Sequence, residues 1–350
     1  MREGRMAYQV DEERLHEYFE TTIGGLLRDK RQRASFATYA MGIVGEGERK
    51  SCEPIAARAC GGSSKAVDNV HNQLLHFLRS SPWEDGPVRL AAARYGIAAL
   101  TEREPVTVWV LDDTGFLKQG THSVGVQRQY TGTAGKTTNC QVAVSLSVAT
   151  QSAHLPIDFE LYLPTSWTED PTRRAEAKIP DGVTFQTKGD LALKMLERAI
   201  AAKIPGDVLL CDSGYGDSHL FRETVRLLGL DYALGIHGRT TVWVLDAAGR
   251  RRGDPIAVET LGKQLGRKAF RKVTWREGTN RKLASSFCFR RVKVAQDDGI
   301  DPVHHEEVWL MMEWPEGETK PTKFTLTSLR RRMSKKRIVR TVKERMGLYT

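Results

Sequence analysis

Two aspartates follow short apolar runs of the kind that form buried strands. The stretch "VTVWVLDDTGF" at 106–116 contains Asp112, and "DVLLCD" at 207–212 contains Asp212, each followed by a loop with glycine. A charge at the end of a buried strand is costly unless something compensates it. In open α/β sheets the crevice beyond the carboxyl ends of the strands binds ligands. The two carboxylates therefore converge if their strands are neighbours.

A divalent cation is the expected compensation. Two close carboxylates repel one another unless a proton or a cation lies between them, and hard oxygen ligands suit Mg²⁺ or Mn²⁺. Two such ions about 3.5 to 4 Å apart activate a water or hydroxyl nucleophile and stabilise the leaving oxygen in phosphodiester chemistry. The alternative for either aspartate alone is a turn or a helix cap. We expect Asp112 and Asp212 to be metal ligands and catalytic residues.

Other acidic and histidine side chains carry weaker expectations. Asp113 points to the opposite face of its strand from Asp112 and is interpreted as a turn or cap residue. Asp217 is interpreted as the N-cap of the helix that follows it. Glu160 either approaches the site from another strand or lies exposed on the surface. The "HHEE" segment at 304–307 has the composition of a metal cluster, but its neighbours alternate between two faces, so we expect no metal there.

Cations and glycines fill the segment between the two aspartates, "KQGTHSVGVQRQYTGTAGKTTNCQ" at 118–141. Glycines allow a phosphate backbone to approach closely, and cations neutralise it. The alternative is a hairpin whose charged ends are merely solvated. We expect Lys118, Arg128 and Lys136 to bind DNA phosphates.

The composition favours a globular protein with a polyanionic partner. The chain has 350 residues, of which 40% are hydrophobic, and a formal net charge of +10. A basic surface attracts nucleic acid, although a basic protein without such a partner is the alternative. The basic runs are spread along the chain, which indicates several patches along one long ligand. They lie at 28–33, 250–252, 267–272 and 330–337.

Several classes of protein are excluded by the sequence. It contains no Walker lysine pattern, no GxGxxG fingerprint and no Ser/His/Asp elbow. Its five cysteines form no CxxC pair, which argues against a disulfide framework and a zinc site. No apolar run reaches the roughly 18 residues of a membrane helix, and the N-terminus has no signal core. We therefore expect a cytoplasmic protein with no membrane partner.

Residues 11–102 have mainly helical spacing. The segment "CEPIAARACGGSSKAVDNVHNQLLHFL" at 52–78 predicts a helix, a turn at Gly61 and Gly62, and a second helix capped by Ser63 or Ser64. A helix pair of this kind occurs both in helix-turn-helix DNA readers and in ordinary helical bundles.

From Pro105 onwards strands dominate. Their order with the later helices predicts an α/β domain with a mixed sheet, followed by a β-rich insertion or subdomain and a last helix that returns to the main domain. The predicted strands are 106–112, 124–131, 140–149, 208–212 and 231–237 in the first part, and 240–245, 269–275, 285–294, 306–314 and 323–328 in the second. The predicted helices are 190–204, 218–230 and 334–346.

The segments "VWVLDDTGFLKQGTHSVGVQRQYTGTAGKTTNCQVAVSLSV", "LPIDFELYLPTSW" and "DVLLCDSGYGD" resemble the DDE transposases of bacterial insertion sequences, in particular the branch numbered seven hundred and one. The resemblance implies an RNase H-like core with a β-rich insertion before the last catalytic helix. It also implies metal-dependent strand cleavage at transposon ends, followed by attack of a DNA 3′-hydroxyl on target DNA. By matching motifs, Asp112 and Asp212 correspond to the first and second catalytic aspartates.

The third acid of that family has no counterpart at the expected place. Related transposases have the helical pattern Y-x2-R-x3-E-x6-K, whose glutamate completes the metal site. Aligning its arginine on Arg345 places Val342 at the tyrosine and Tyr349 at the glutamate, and the sequence ends before the lysine. Glu344 is one position from Arg345 and lies on a different helical face. We expect a C-terminally truncated chain that binds DNA and has little or no transposition activity.

The sequence thus predicts an α/β, RNase H-like insertion-sequence transposase with Mg²⁺ or Mn²⁺ as cofactor. Its partners are the terminal inverted repeats and target DNA, with a homodimer at paired ends, in the nucleoid of a bacterial cytoplasm. One alternative is a non-catalytic remnant that competes with intact transposase for transposon ends; another is an independent RNase H-like nuclease. The expected regions are 1–102, helical and DNA-binding; 103–237, the catalytic core; 238–328, the β-rich insertion; and 329–350, the start of the truncated catalytic helix.

Overall fold

The computed structural model describes residues 13–61, 64–277, 282–295 and 305–344. The chain forms two compact units, residues 1–96 and 97–350, so the boundary falls within the last helix of the predicted helical region. None of the helices in the described ranges is long and apolar enough to cross a lipid bilayer.

The first unit is helical, as the spacing predicts. Phe19, Ile23, Leu27 and Val88 form its buried cluster, with aromatic rings around them. The predicted glycine turn is confirmed at Gly61, whose φ of 53° ends the second helix in the left-handed region. Ser64 lies inside the next helix, and Gly62 and Ser63 lie outside the described residues. The helices are α1 (Lys30–Val44), α2 (Cys52–Cys60), α3 (Ser64–Ser80) and α4 (Asp85–Thr101).

The second unit is built on a twelve-stranded mixed sheet. Its strands are β1 (Val108–Leu117), β2 (Gln127–Thr131), β3 (Lys136–Ala149), β4 (His154–Tyr162), β5 (Val208–Cys211), β6 (Asp231–Ile236), β7 (Thr241–Leu245), β8 (Arg251–Ala257), β9 (Arg271–Glu277), β10 (Lys282–Val294), β11 (Val308–Trp314) and β12 (Lys323–Thr327). Its helices are α5 (Thr165–Thr168), α6 (Pro171–Ala177), α7 (Lys188–Ala201), α8 (Ser213–Gly216), α9 (His219–Leu227), α10 (Val258–Leu265) and α11 (Lys335–Glu344).

The first half of this sheet has the RNase H-like arrangement. Strands β1, β3 and β4 are antiparallel neighbours, with β2 pairing the outer end of β3. Strand β5 then pairs parallel with β1, and β6 pairs parallel with β5. Parallel neighbours need crossover connections, and α7 and α9 lie within the connections that lead into β5 and β6. The chain therefore has an α/β fold with an RNase H-like mixed sheet.

Strand β1 extends further than the predicted 106–112, so the expected break after the aspartates is wrong. Its antiparallel ladder with β3 continues to Leu117. The glycine at 115 serves a close approach: a Cβ there would lie 1.8 Å from the Thr131 hydroxyl oxygen. The Thr-Gly pair interrupts the apolar pattern without ending the strand.

The strands predicted in the second half are confirmed, but they do not form a separate sheet. Strand β12 pairs with β6, and β11, β10, β7 and β8 follow edge to edge. Strand β8 and helix α10 were missed in this half, and β4 with the short helices α5, α6 and α8 were missed in the first half. The residues of β8, "RRGDPIA", are mostly exposed, so they carry no apolar alternation to reveal the strand.

Helix α11 packs on one face of the sheet. Its Ile338 and Val339 are fully buried in a cluster that includes residues of β1, β5, β10 and β11. Beside this cluster lies a buried ion pair, in which the Lys343 ammonium donates to Glu313 at 2.6 Å. The rings of Trp275 and Phe287 flank the same ammonium group, and its burial lowers the pKa of Lys343. The helix is therefore fixed by apolar packing and by one desolvated charge pair.

We expect Glu313→Leu to lower the free energy of unfolding by about 3–5 kcal/mol, because the Lys343 ammonium would remain buried without its partner. The double variant Glu313→Leu, Lys343→Met should recover most of this loss, since well-packed apolar side chains replace a buried pair at little cost. Urea unfolding of the 350-residue chain measures both. If Glu313→Leu alone were as stable as the wild type, the assigned role of the ion pair would be wrong.

Candidate metal centre

Asp112 and Asp212 lie on neighbouring parallel strands at matching positions. The β1–β5 ladder pairs Trp109 with Leu209 and Val110 with Leu210. Continuing this register by two residues places Asp112 beside Asp212, on strands about 4.8 Å apart. Asp212 directly follows the last residue of β5, Cys211, and keeps an extended backbone with φ of −86° and ψ of −173°.

Both aspartates project from the face of the sheet that α11 covers. Val110 and Leu210, two residues before each aspartate, belong to the cluster that contains Ile338 of α11. Side chains alternate along a strand, so Asp112 and Asp212 point to the same side, just beyond the apolar core. Both are partly exposed. The arrangement supplies two carboxylates at the carboxyl edge of the sheet, the donor type that a hard divalent cation prefers.

The described hydrogen bonds of Asp112 and Asp212 are compatible with a role as metal ligands and with a role as turn or cap residues. One carboxylate oxygen of Asp212 accepts from the Gly214 backbone N–H at 2.9 Å, so Asp212 is the N-cap of α8. One oxygen of Asp112 accepts from the Asp113 N–H at 2.9 Å. A carboxylate has two oxygens and about four acceptor directions, so a bond to a backbone N–H is compatible with a cation on the other oxygen.

Asp113 is neither a turn residue nor a cap, which corrects the sequence interpretation. As predicted, it projects to the opposite face from Asp112. There it forms an ion pair with Lys188 at the start of α7 and accepts a hydrogen bond from the Tyr215 hydroxyl. Tyr215 belongs to α8, the short helix that begins directly after Asp212. The Asp113–Tyr215 bond therefore ties the residue next to one candidate ligand to the helix that follows the other.

The environment of Tyr215 keeps its hydroxyl protonated. Burial raises its pKa well above the ordinary value, and the negative charges of Asp113 and Asp212 raise it further. A neutral phenol can donate to Asp113, whereas a phenolate could not. The sequence offered a weak signal for this contact, because Tyr215 lies inside the "DSGYGD" motif.

A third acidic ligand is not found beside the pair within the described ranges. No group of three or more His, Cys, Asp or Glu side chains there has an arrangement that could hold a metal ion. Glu344 accepts from the Thr107 hydroxyl at 2.7 Å, and burial raises its pKa. Thr107 precedes Asp112 by five residues, about 16 Å along a strand. Glu344 is thus directed away from the aspartates, as its helical position predicted.

The remaining acidic candidates are engaged elsewhere. Glu160 forms an ion pair with Arg198 of α7 at 2.6 Å, on the face opposite Asp112. Glu306 pairs with Arg226 at 3.0 Å, and Glu307 pairs with Arg291 at 2.7 Å. Both glutamates of "HHEE" are thus engaged in ion pairs, and its first residue, His304, lies outside the described residues.

A cavity of about 380 Å³ opens next to Asp212. Glu313, Lys323, Val342 and Lys343 line it, together with backbone at the ends of β5 and β6. The cavity joins the carboxyl edge of the sheet to the last described turn of α11.

The three predicted phosphate contacts lie on the β1–β2–β3 end of the sheet, and all three are exposed. Lys118 and Arg128 flank Asn139 of β3, since the Lys118 N–H donates to the Asn139 carbonyl and Arg128 is the β2 partner of Asn139. Because side chains alternate along a strand, Lys118, Asn139 and Arg128 lie on the same face of the sheet as Asp112. Lys118 is six residues from Asp112, or about 20 Å along the strand. Lys136 lies at the hairpin, paired with Thr131, and projects to the other face. The structure thus groups Lys118 with Arg128 and separates Lys136 from them.

Asp217 is not the N-cap of α9, contrary to expectation. Ser218 is the cap, and its hydroxyl accepts from the Phe221 N–H at 3.3 Å. Asp217 instead accepts from the backbone N–H of His237 at 2.9 Å, from the His237 ring and from the Thr240 hydroxyl at 3.0 Å. Sequence spacing could not reveal this contact, because twenty residues separate the partners.

We expect Tyr215→Phe to lower the free energy of unfolding by about 1–3 kcal/mol at neutral pH, because a part-buried carboxylate loses a hydrogen bond. Because the pKa of Tyr215 is raised in the folded state, the free energy of unfolding also depends on pH. The stabilisation from Tyr215 is fully present below pH about 10, where tyrosine in the unfolded chain is protonated, and is lost as the pH rises above that value. Wild-type stability should therefore fall more steeply above pH about 10 than that of Tyr215→Phe.

The matched control is Tyr130→Phe, since Tyr130 is 66% exposed. It should leave both the stability and its alkaline slope unchanged. Chemical unfolding between neutral and alkaline pH measures the slopes. If Tyr215→Phe and the wild type had the same alkaline slope, the assignment of Tyr215 as a buried donor to Asp113 would be wrong.

Residues 22–282 match the sequence profile of a family described as DDE superfamily endonuclease. A curated relative, the probable transposase for insertion sequence element IS701 of Microchaete diplosiphon, is 29% identical over 221 residues, which cover 63% of this chain and 53% of the relative. The chain thus spans about half the length of that relative.

Two solved structures resemble the chain weakly. The NurA nuclease from Sulfolobus solfataricus is 11% identical, with a TM-score of 0.26 over 75% of this chain and 84% of the nuclease. The Drosophila P element transposase strand transfer complex is 11% identical, with a TM-score of 0.22 over 74% of this chain and 55% of the transposase. Scores of this size support no inference about the chain. The family match, by contrast, covers most of the sequence and includes Asp112 and Asp212, and the chain belongs to the DDE superfamily endonucleases.

Proposed function

We propose that the chain is an insertion-sequence transposase that acts on DNA of the bacterial nucleoid through metal-dependent phosphodiester chemistry. The observation that carries the proposal is the matched register of β1 and β5, which aligns Asp112 with Asp212 on one face. The family match supports the endonuclease chemistry. The relative's description as a probable transposase supports the transposition reaction.

Asp112 and Asp212 are the residues that would hold Mg²⁺ or Mn²⁺. When bound, the cation supplies activation of the attacking water or hydroxyl and stabilisation of the leaving oxygen. The chain's own residues set the geometry: Asp113, Tyr215 and Lys188 fix the backbone beside each ligand. Helix α11 packs on the same face as the aspartates, over the buried residues that precede them in β1 and β5.

The DNA partner is proposed from charge. The net charge of +10 favours a polyanion. Lys118 and Arg128 lie in one row on the face of Asp112 and are assigned to the phosphates of a strand that passes the metal centre. Lys136 is assigned to a phosphate beyond the hairpin. The helix pair α2–α3 is assigned to the terminal inverted repeats, and two chains are expected at paired ends.

A polypeptide of residues 1–350 is proposed to bind DNA and to cleave it poorly. The register of β1 and β5 supports two converging carboxylates, no group of three or more potential ligands is found among the described residues, and Tyr349 stands at the pattern position of the third acid in the sequence. Two carboxylates retain one cation weakly, whereas a second cation loses a ligand. This observation also favours the second candidate function, competition with an intact transposase for transposon ends.

Metal binding tests the paired aspartates directly. We expect Mn²⁺ to bind the wild type, and Asp112→Asn and Asp212→Asn each to weaken it at least about tenfold, since the loss of an outer-sphere partner alone costs that much. Isothermal titration calorimetry measures the affinity. Asp181→Asn is the matched control, because Asp181 is an exposed acid elsewhere in the same unit. Unchanged Mn²⁺ affinity in both test variants would refute the site.

DNA binding and cleavage separate the two candidate functions. We expect the DNA affinity to fall as the salt concentration rises. The slope of log affinity against log salt concentration should become smaller by about one in Lys118→Ala and in Arg128→Ala, because each variant loses one phosphate contact. Inverted-repeat ends should bind more tightly than unrelated DNA of equal length. Supercoiled plasmid with Mg²⁺ or Mn²⁺ should show little nicking. Robust nicking that Asp112→Ala abolishes would contradict impaired cleavage and would establish the chain as an active nuclease.

A further inference from the structure

A tight turn at the end of β6 lies at the same edge of the sheet as the aspartates. Residues His237, Gly238, Arg239 and Thr240 form it, closed by the Thr240 N–H donating to the His237 carbonyl at 3.1 Å. Strand β6 pairs parallel with β5, with Cys211 opposite Leu234. The turn therefore follows the carboxyl end of β6 just as Asp212 follows the carboxyl end of β5.

Asp217 organises this turn. Its carboxylate accepts from the His237 N–H at 2.9 Å, from the Nδ1 side of the His237 ring and from the Thr240 hydroxyl at 3.0 Å. A carboxylate next to Nδ1 fixes the proton on that nitrogen and directs Nε2 away from it. The His237 side chain is 50% exposed, so its ring is held at one end and open at the other.

The same short helix connects the turn to the candidate metal centre. Helix α8 begins after Asp212 and ends at Gly216, directly before Asp217. It rests on β6 without intervening side chains: a Cβ on Gly216 would lie 2.0 Å from the Gly235 carbonyl oxygen, and one on Gly235 would lie 3.2 Å from the Asp212 carbonyl carbon. This close approach couples the positions of Asp212 and His237.

The turn presents positive charge. Arg239 is exposed between His237 and Thr240. The charged groups next to the turn are Asp217 and, across Gly238, Glu259 of α10. Glu259 is itself paired with Lys263 and Lys320, whose ammonium groups hold its pKa down at about 2. Its negative charge is thus countered, and the exposed groups of the turn are an imidazole and a guanidinium.

We propose that the His237–Thr240 turn binds a DNA phosphate beside the strand held at Asp112 and Asp212, and that Asp217 is its positioning residue. The inference rests on the proposed function, because it assigns a further contact to the same DNA. Arg239 supplies the permanent charge for the phosphate, and the Asp217 contacts to His237 and Thr240 hold the turn that presents it.

The test is the salt dependence of DNA affinity, measured with the 350-residue chain and labelled inverted-repeat duplex. Arg239→Ala should lower the slope of log affinity against log salt concentration by about one, because one phosphate contact is lost. Arg239→Lys keeps a positive charge at this position and should keep most of the slope.

Asp217→Ala separates positioning from charge. It removes the acceptor for the backbone N–H of His237 and for the Thr240 hydroxyl and leaves Arg239 in place. The salt slope should fall towards that of Arg239→Ala, whereas Asp217→Asn, which keeps a carbonyl oxygen as acceptor, should stay closer to the wild type. The matched controls are His154→Ala and Arg103→Ala, exposed residues near the opposite edge of the sheet, and both should behave as the wild type. Circular dichroism confirms folding of each variant.

The outcomes are distinguishable. If the chain binds DNA but Arg239→Ala keeps the wild-type slope, the turn is not a phosphate contact and the proposed function is untouched. If the chain binds no DNA under any condition, both the inference and the proposed function are overturned. A lower slope in Arg239→Ala, with Arg103→Ala unchanged, supports the inference.

Discussion

The parallel pairing of β1 with β5 sets the register on which the candidate centre depends. Backbone hydrogen bonds align Val110 with Leu210, and Asp112 and Asp212 each follow two residues later. Two unit charges about 5 Å apart near a protein surface repel by about 3 kcal/mol. The pairing is nevertheless retained, because the residues before the aspartates are buried: Val108, Val110 and Leu210 are each at most 1% exposed. The apolar core thus holds two like charges at a place where a cation can relieve them.

Adjacent acidic residues acquire different roles through strand alternation alone. Asp112 points to the face shared with Asp212, while Asp113 points to the other face and meets Lys188 and Tyr215. Asp113 therefore has a structural role, since its contact with Tyr215 holds β1 next to α8. Asp112 is proposed to bind the metal. A single residue inserted or deleted in β1 would exchange the two roles.

Part of this arrangement could be predicted from the sequence. The apolar runs that precede Asp112 and Asp212 identified both strands, and the alternation rule placed Asp113 on the other face. The end of β1 was missed because Thr114 and Gly115 interrupt the apolar pattern, whereas the strand continues through its ladder with β3. Local pattern carries no information about a partner strand. For the same reason the strands after His237 were predicted individually, but their continuity with β6 was not.

Contacts between residues that are distant in the chain could not be predicted from the sequence either. Asp217 was interpreted as a cap from its position before a helix, while Ser218 next to it has the same capping ability and occupies the cap. The choice is made by His237 and Thr240, which the fold of β6 brings to Asp217. Lys188 was likewise assigned to no site, although it lies where the N-terminus of α7 meets Asp113. Topology decides these partners, and spacing along the chain does not.

The geometry of α11 bears on the third acid. Val342 lines the cavity beside Asp212, while Glu344, two residues later, turns to Thr107. In the family pattern, the sequence alignment places Val342 at the tyrosine position, and Val342 is a residue of α11 that lines this cavity. Glu344 is rotated by about 200° from Val342 around the helix, which is why it meets Thr107 on another face instead of the cavity.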